Sequence, residues 1–258
     1  MMIWSKTDAG VGITVTVPDK AGLLADLRRR FERREGFTVA TINLDHVVKL
    51  ARDPAFRNAY GAQSHVTADG NPIVWLSRLA GQGDVALVPG SEVIDPVARL
   101  AAEVGVPVAL FGATDASLTA AAEALRAQIP GLDVVLTLAP EMGFDPAGPA
   151  ADQAIAQIGE SGARLVFLAL GAPKQEIFAA RAQTHLPETG FLSIGAGLDF
   201  ISGAQKRAPA WVRAVAGEWL WRMLSSPRRL AARYGACLLV LPGLTVRALG
   251  ARFARRRG

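Results

Sequence analysis

The sequence predicts an α/β protein: a doubly wound, largely parallel sheet with helices on both faces, followed by a basic helical appendage. Three observations predict it. Apolar runs of four to six residues alternate with amphipathic stretches of ten or more, the pattern of successive βαβ units. Some of these runs are apolar throughout, as strands covered on both faces are. Charge is also split. Residues 204–258 hold twelve Lys and Arg against one acid, Glu218, a net of +11, which leaves −6 for the preceding residues out of a total of +5.

Residues 13–17 alternate as a short strand. Asp19 is placed to cap a helix reaching Glu35, with Leu23, Leu24, Leu27 and Phe31 on one stripe. A strand over 37–42 follows Gly36. Residues 43–52 are helical, and Asp53-Pro54 opens a further short helix as N-cap and first helical residue. The strand over 63–68 runs into Asp69-Gly70-Asn71-Pro72, a turn sequence, and 73–79 returns to helix. Residues 86–88 form a short apolar piece before Pro89-Gly90. Next come a helix over 95–104, a strand over 108–111, an Ala-rich helix over 114–128 and a strand over 134–138. A loop covers 141–149 and a helix 150–160. The apolar run 165–170 is the next strand, and Gly171 permits a tight turn after it. Pro173 fits the first helical position, with Lys174, Gln175 and Glu176 in the same turn and the helix continuing to 182. The last strand, 191–194, ends in Gly195-Ala196-Gly197.

The 258 residues suffice for one large α/β domain, placed at 1–203, and an appendage at 204–258. The longest apolar stretch, 236–246, contains Pro242-Gly243 and falls short of the roughly 20 residues of a membrane-spanning helix. A single cysteine, Cys237, excludes an internal disulfide and a Cys-based zinc site. The first ten residues have neither a basic nor an apolar leader region, so the expected home is the cytoplasm. In the tail, Trp211, Trp219 and Trp221 interleave with Arg213 and Arg222. That pattern suits an amphipathic segment lying on a membrane, and equally a helix pair packing its Trp into the body. The surplus charge favours an anionic surface. The tail has no groove-reading motif, so nucleic acid is not the expected partner.

Ligands of parallel sheets sit beyond the carboxyl ends of the strands. Four such ends carry polar or Gly-rich turns: 41–43, 68–71, 171–175 and 195–199. The turn at 171–175 leads into a helix N-terminus, where free N–H groups, the positive dipole end and Lys174 would hold a diphosphate. The same residues also make an ordinary strand-to-helix turn. Asp69, directly after a strand, can take a proton from an acceptor hydroxyl or simply cap the next helix. Thr41 and Asn43 can orient a sugar or phosphate, and Asn43 is also a good N-cap. His46 and His65 lack partners at metal-ligand spacing and are expected to be structural. Gly195 and Gly197 precede Glu218 by about the distance of a dinucleotide fold, but the third Gly is missing and the match is taken as chance. There is no P-loop, no GxSxG and no DxD pair, and the last absence argues against a metal-dependent nucleotide-sugar transferase.

Together these motifs resemble the WecG/TagA/CpsF family of bacterial glycosyltransferases. The matching residues are Thr41-Ile42-Asn43, Thr67-Ala68-Asp69-Gly70 with Pro72, Gly171-Ala172-Pro173-Lys174-Gln175-Glu176, Gly197-Leu198-Asp199-Phe200, and Lys206-Arg207-Ala208-Pro209 with Trp211 and Glu218-Trp219. The resemblance implies a Rossmann-like core and a membrane-touching appendage. It implies transfer of a hexose from a UDP-sugar to a polyprenyl-diphosphate-linked saccharide, with inversion, no cofactor and no obligatory metal. Asp69 would be the general base, with Thr41 and Asn43 lining the sugar site. Gly171, Pro173, Lys174, Gln175, Gly197 and Asp199 would form the donor site. Arg213, Arg222 and Arg229 would neutralise the departing diphosphate. The stretch 87–92 departs from the family pattern: where an Arg and a Thr-Gly-x-Asp element are usual, Leu87-Val88-Pro89-Gly90-Ser91-Glu92 stands. A nucleotide-binding protein without transferase activity is therefore the alternative reading. The oligomeric state is left open, a homo-oligomer included.

Overall fold

A computed structural model describes residues 1–204 and 227–255, with side chains described from 232 in the second segment. The main sheet has six strands, all parallel: β3 (Phe37–Ile42), β4 (His65–Ala68), β5 (Val108–Gly112), β6 (Val134–Leu138), β7 (Leu165–Ala169) and β8 (Gly190–Ser193). Their order across the sheet is β4-β3-β8-β7-β5-β6. Parallel neighbours need crossovers, and the helices supply them. These are α1 (Lys20–Arg33), α2 (Leu44–Leu50), α3 (Pro54–Gly61), α4 (Asn71–Leu79), α5 (Gly90–Glu103), α6 (Asp115–Gln128), α7 (Pro149–Glu160), α8 (Lys174–His185) and α9 (Gly197–Ile201).

Alternate residues of each strand enter different layers, as a two-residue side-chain period requires. Phe37 and Val39 of β3, Leu110 of β5, Phe167 of β7 and Leu192 of β8 pack with α1, α5, α6 and α9. On the opposite face, Phe111, Val166, Leu168 and Phe191 meet α7 and α8, while Ala40, Ile42, Val66 and Ala68 meet α2, α3 and α4. Both faces are covered, which is why apolar residues predominate in the strands.

Several boundaries differ from the sequence expectation. The segment 13–17 is not a full strand: β1 (Ser5–Lys6) and β2 (Gly12–Ile13) form a separate antiparallel pair. Beyond it, Thr16 N–H donates to the Val66 carbonyl at 2.9 Å and Val66 N–H to Thr16 Oγ1 at 2.8 Å, which covers the open edge of β4. Helix α5 starts five residues earlier than position 95 and runs through Pro96. Its buried stripe of Val93, Ile94, Val97, Ala98, Leu100 and Ala101 outweighs the hydrogen bond the proline removes.

The largest difference lies at the C-terminal end. Pro242-Gly243 does not interrupt the helix, and α10 is continuous over Pro227–Arg255. By length and composition its segment Ala232–Arg255 can cross a membrane, and only 17% of its most apolar window is buried. Cys237, Leu244 and Ala248 form its buried side, seated with the α2–α4 layer. Arg247 donates to the Ile3 carbonyl at 2.6 Å and Arg255 to that of Gly81 at 2.7 Å. Leu238, Leu239, Val246 and Phe253 face outward, each at least 60% exposed.

Candidate active site

The four polar turns expected at strand ends follow β4, β3, β8 and β7, which are consecutive neighbours in the sheet. Since every strand is parallel, all four turns lie on one edge. The chain also leaves β5 and β7, which pair with each other, in opposite directions, to β6 and to β8. Such a reversal opens a crevice at the carboxyl edge.

Asp69 follows β4 directly, its N–H donating to the Ile42 carbonyl at 2.8 Å. It does not cap α4: the N-cap is Gly70, at φ +91, a left-handed conformation that glycine reaches without a Cβ penalty. Asn43 is both of the things its type allowed. Its Oδ1 accepts the His46 N–H at 3.0 Å and caps α2, while its Nδ2 donates to Asp69 Oδ2 at 3.4 Å. A donor aimed at a carboxylate oxygen fixes its orientation. Thr41 is buried beside them, in register with Thr67 of β4.

Gly171 turns the chain at φ +72, and Pro173 is the N-cap of α8, one position before the place expected from sequence. Lys174 opens the helix, half-buried. Gln175 is almost fully buried and bridges two turns: its Nε2 donates to Glu176 Oε1 at 2.8 Å, and its Oε1 accepts the Gly195 N–H at 3.1 Å. It ties the turn after β7 to the turn after β8 from behind. Gly197 is packed against α5, where a Cβ would meet Ile94 Cδ1 at 2.4 Å, and Asp199 lies in the first turn of α9. Arg213 and Arg222 lie outside the described residues, as does Glu218. So does the side chain of Arg229.

Helices α4, α5, α8 and α9 begin at or beside this edge, and none has a side-chain cap. At the same edge Asn43 caps α2 and Thr114 caps α6, while Asp19 and Asp53 cap α1 and α3 elsewhere. Some of the first backbone donors of the uncapped helices are used within the turns, the Gln175 N–H by the Gly171 carbonyl and the Ile73 N–H by the Gly70 carbonyl at 3.1 Å each, so it is the positive dipole ends that favour an anion. The 87–92 stretch enters here too: Val88 N–H donates to the Ala68 carbonyl at 2.8 Å, and a Cβ on Gly90 would lie 3.1 Å from Ile194 Cα.

Behind the edge lies a buried polar layer. The Tyr60 hydroxyl donates to the Thr41 carbonyl at 2.8 Å and meets His46 Nδ1 at 3.0 Å. Burial drives the His46 pKa down to about 3 and pushes the Tyr60 phenol well up, helped by the Glu176 and Asp69 charges. Burial also raises Glu176 to about 7 against the opposing hydrogen bond from Gln175. His65 is structural, between Ser64 and Asp26. Among the described residues, no three His, Cys, Asp or Glu side chains cluster to hold a metal ion.

The sequence reading missed Tyr60, Asp45 and Lys49. Tyr60 has no local signal. Asp45 and Lys49 stand four apart on α2 and pair at 2.9 Å, a spacing that was open to view.

The model of the glycosyl transferase WecG/TagA/CpsF family matches residues 9–258, nearly the whole chain. The chain belongs to this family. The protein is therefore a glycosyltransferase.

Proposed function

We propose that this transferase moves a hexose from a UDP-sugar to a polyprenyl-diphosphate-linked saccharide, with inversion and without a required metal, in cell-surface polysaccharide synthesis. The observation that carries the reading is Asp69, held by Asn43, on the same edge of the parallel sheet as the Lys174 start of α8. Asp69 takes the proton of the acceptor hydroxyl as that oxygen attacks the anomeric carbon. The bond to the UDP oxygen breaks on the opposite face, so a single displacement inverts the centre. Lys174 and the positive dipole end of α8 stabilise the charge on the leaving diphosphate, with Arg213, Arg222 and Arg229 of the appendage supplying further positive charge. N-acetylmannosamine, its uronic acid, glucuronic acid and glucose are the sugars to test. The outward Leu238, Leu239, Val246 and Phe253 of α10, with the basic tail, support peripheral attachment to an anionic membrane face.

The test is product formation from a panel of UDP-sugars with one synthetic lipid-linked acceptor. In that assay Asp69→Asn lowers turnover by a factor of about 10²–10⁴ while UDP affinity stays near wild type. Wild-type rates in the variant would remove the base. UDP binding without product for any sugar would favour the nucleotide-binding alternative that the 87–92 stretch suggests.

A further inference from the structure

The turn between β7 and α8 has a second cation beside it. Lys49 of α2 reaches across to that turn, its Nζ donating to the Ala172 carbonyl at 3.0 Å. The same ammonium pairs with Asp45 Oδ2 at 2.9 Å. An ammonium has three donors: one is spent on Ala172, and the contact with Asp45 is an ion pair without hydrogen-bond geometry. The Lys49 side chain is 35% exposed, so its remaining donors can meet a ligand beside the turn.

Asp45 does not neutralise Lys49 alone. Arg233 of α10 contacts the same Asp45 Oδ2, also at 2.9 Å. The cluster thus sets two cations against one carboxylate. Asp45 is largely buried, and a carboxylate removed from water holds its charged partners firmly because losing either is costly. The surplus positive charge lies next to the backbone of the turn that Lys174 follows. The cluster also joins three separate parts of the chain: α10 through Arg233, α2 through Asp45 and Lys49, and the β7–α8 turn through Ala172.

We propose that Lys49 is a ligand of the donor's diphosphate, with Asp45 as its positioning residue and Arg233 as the contact through which the C-terminal helix holds that arrangement in place. This rests on the reading of the β7–α8 turn as the diphosphate site. Neutralisation of the diphosphate is then shared between the α8 N-terminus with Lys174 and the α2 ammonium. Seating of α10 becomes a condition for tight donor binding, separate from any arginine it brings to the leaving group.

The test is calorimetric titration of the full-length chain with UDP and, in parallel, UMP. Lys49→Met should weaken UDP about tenfold or more and UMP much less, whereas Lys49→Arg, which keeps the charge, should stay within about threefold of wild type. Arg233→Gln should weaken UDP by a smaller factor. It should also speed hydrogen exchange at the amides of 171–175, which a purely local role in docking α10 would not change. Thermal unfolding of each variant confirms folding, and Lys49→Arg serves as the folded control should Lys49→Met fail to fold. If Lys49→Met binds UDP as wild type does while Lys174→Met does not, the diphosphate turn stands and this proposal falls. If neither lysine matters, or the wild type does not bind UDP, the reading of the turn falls with it. Unchanged exchange at 171–175 in Arg233→Gln would overturn the role given to α10.

Discussion

The two sides of the sheet spend their buried volume differently. Around β4, β3 and β8, and along α2 and α8, buried side chains include Thr41, Asp45, His46, Gln63, His65, Thr67, Gln175, Glu176 and Ser193. Around β5 and β6 the interior is almost entirely apolar, with Phe111, Leu118, Leu125, Val134 and Ile158. The strand ends do not divide so simply: Thr114 caps α6 after β5 and Asn43 caps α2 after β3, while α4 and α8, after β4 and β7, begin without a side-chain cap. Buried polar groups cost stability unless they are bonded, and Glu176 Oε2 and Ser193 Oγ have no hydrogen-bond partner among the described residues. A chain that placed such groups on one side only has concentrated its cost where chemistry is done and left the other side to hold the fold.

The sharpest break in that comparison sets stability against turnover. Leu125 is 1% exposed on the β5–β6 side, and Leu125→Ala should cost about 2–5 kcal/mol. Chemical denaturation measures that loss. The specific rate of the folded fraction should stay within about twofold, in contrast to the collapse expected for Asp69→Asn. A large fall in the specific rate of Leu125→Ala would mean that the apolar side also shapes the crevice.

Next in size is a pH effect confined to the polar side. The Glu176 pKa is raised by burial from 4.5 to about 7. A carboxyl raised in the folded state contributes stability that is complete below about 4.5 and is lost as pH rises to about 7. The shift corresponds to a contribution on the order of 3 kcal/mol. His46 acts in the other direction. Its pKa is lowered from 6.5 to about 3, so its contribution is complete above 6.5 and is lost as pH falls toward 3. The two overlap, and subtraction separates them. Stability of wild type minus that of Glu176→Gln should decline between pH 4.5 and 7 and be flat outside it, by urea denaturation at each pH. A flat difference throughout would show that Glu176 is solvated in solution.

How much of this was legible follows the same division. The limits of β3 and β6 and the caps Asp19, Asn43 and Asp53 are written in local sequence, because apolar runs and cap side chains act over a few residues. The four polar turns could be named individually. The carboxyl edge followed from a parallel sheet, but that the four strands are consecutive neighbours could not be read, since β4 leads to β5 across three intervening strands and nothing local encodes that crossover. Proline misled twice. Pro96 and Pro242 are interior to helices whose apolar faces hold them in place, so tertiary packing outweighed the local breaker. Within the site, Asp69 and Asn43 were readable as residue types at strand ends, but their contact joins positions 26 apart. Gln175 was readable as part of a motif. That its amide ties Glu176 to Gly195 depends on β7 and β8 being neighbours, which only the fold reveals.

The smallest effect makes the most direct comparison, because it uses the same device on both sides. Asn43 caps α2 with a 3.0 Å bond from the His46 N–H, and Thr114 caps α6 with a 3.2 Å bond from the Ser117 N–H. As caps they are equivalent, and Asn43→Ala and Thr114→Ala should each cost about 1 kcal/mol in unfolding. Only Asn43 has a second duty, since its Nδ2 also reaches Asp69. Removing a hydrogen bond to a charged group should lower the rate by on the order of tenfold or more in Asn43→Ala, while Thr114→Ala keeps its rate. Asn43→Asp refines the point. It retains the cap but sets a second carboxylate against Asp69, so its stability should stay near wild type while its turnover falls. Equal rates for the two alanine variants would reduce Asn43 to a cap and leave Asp69 without the support assigned to it.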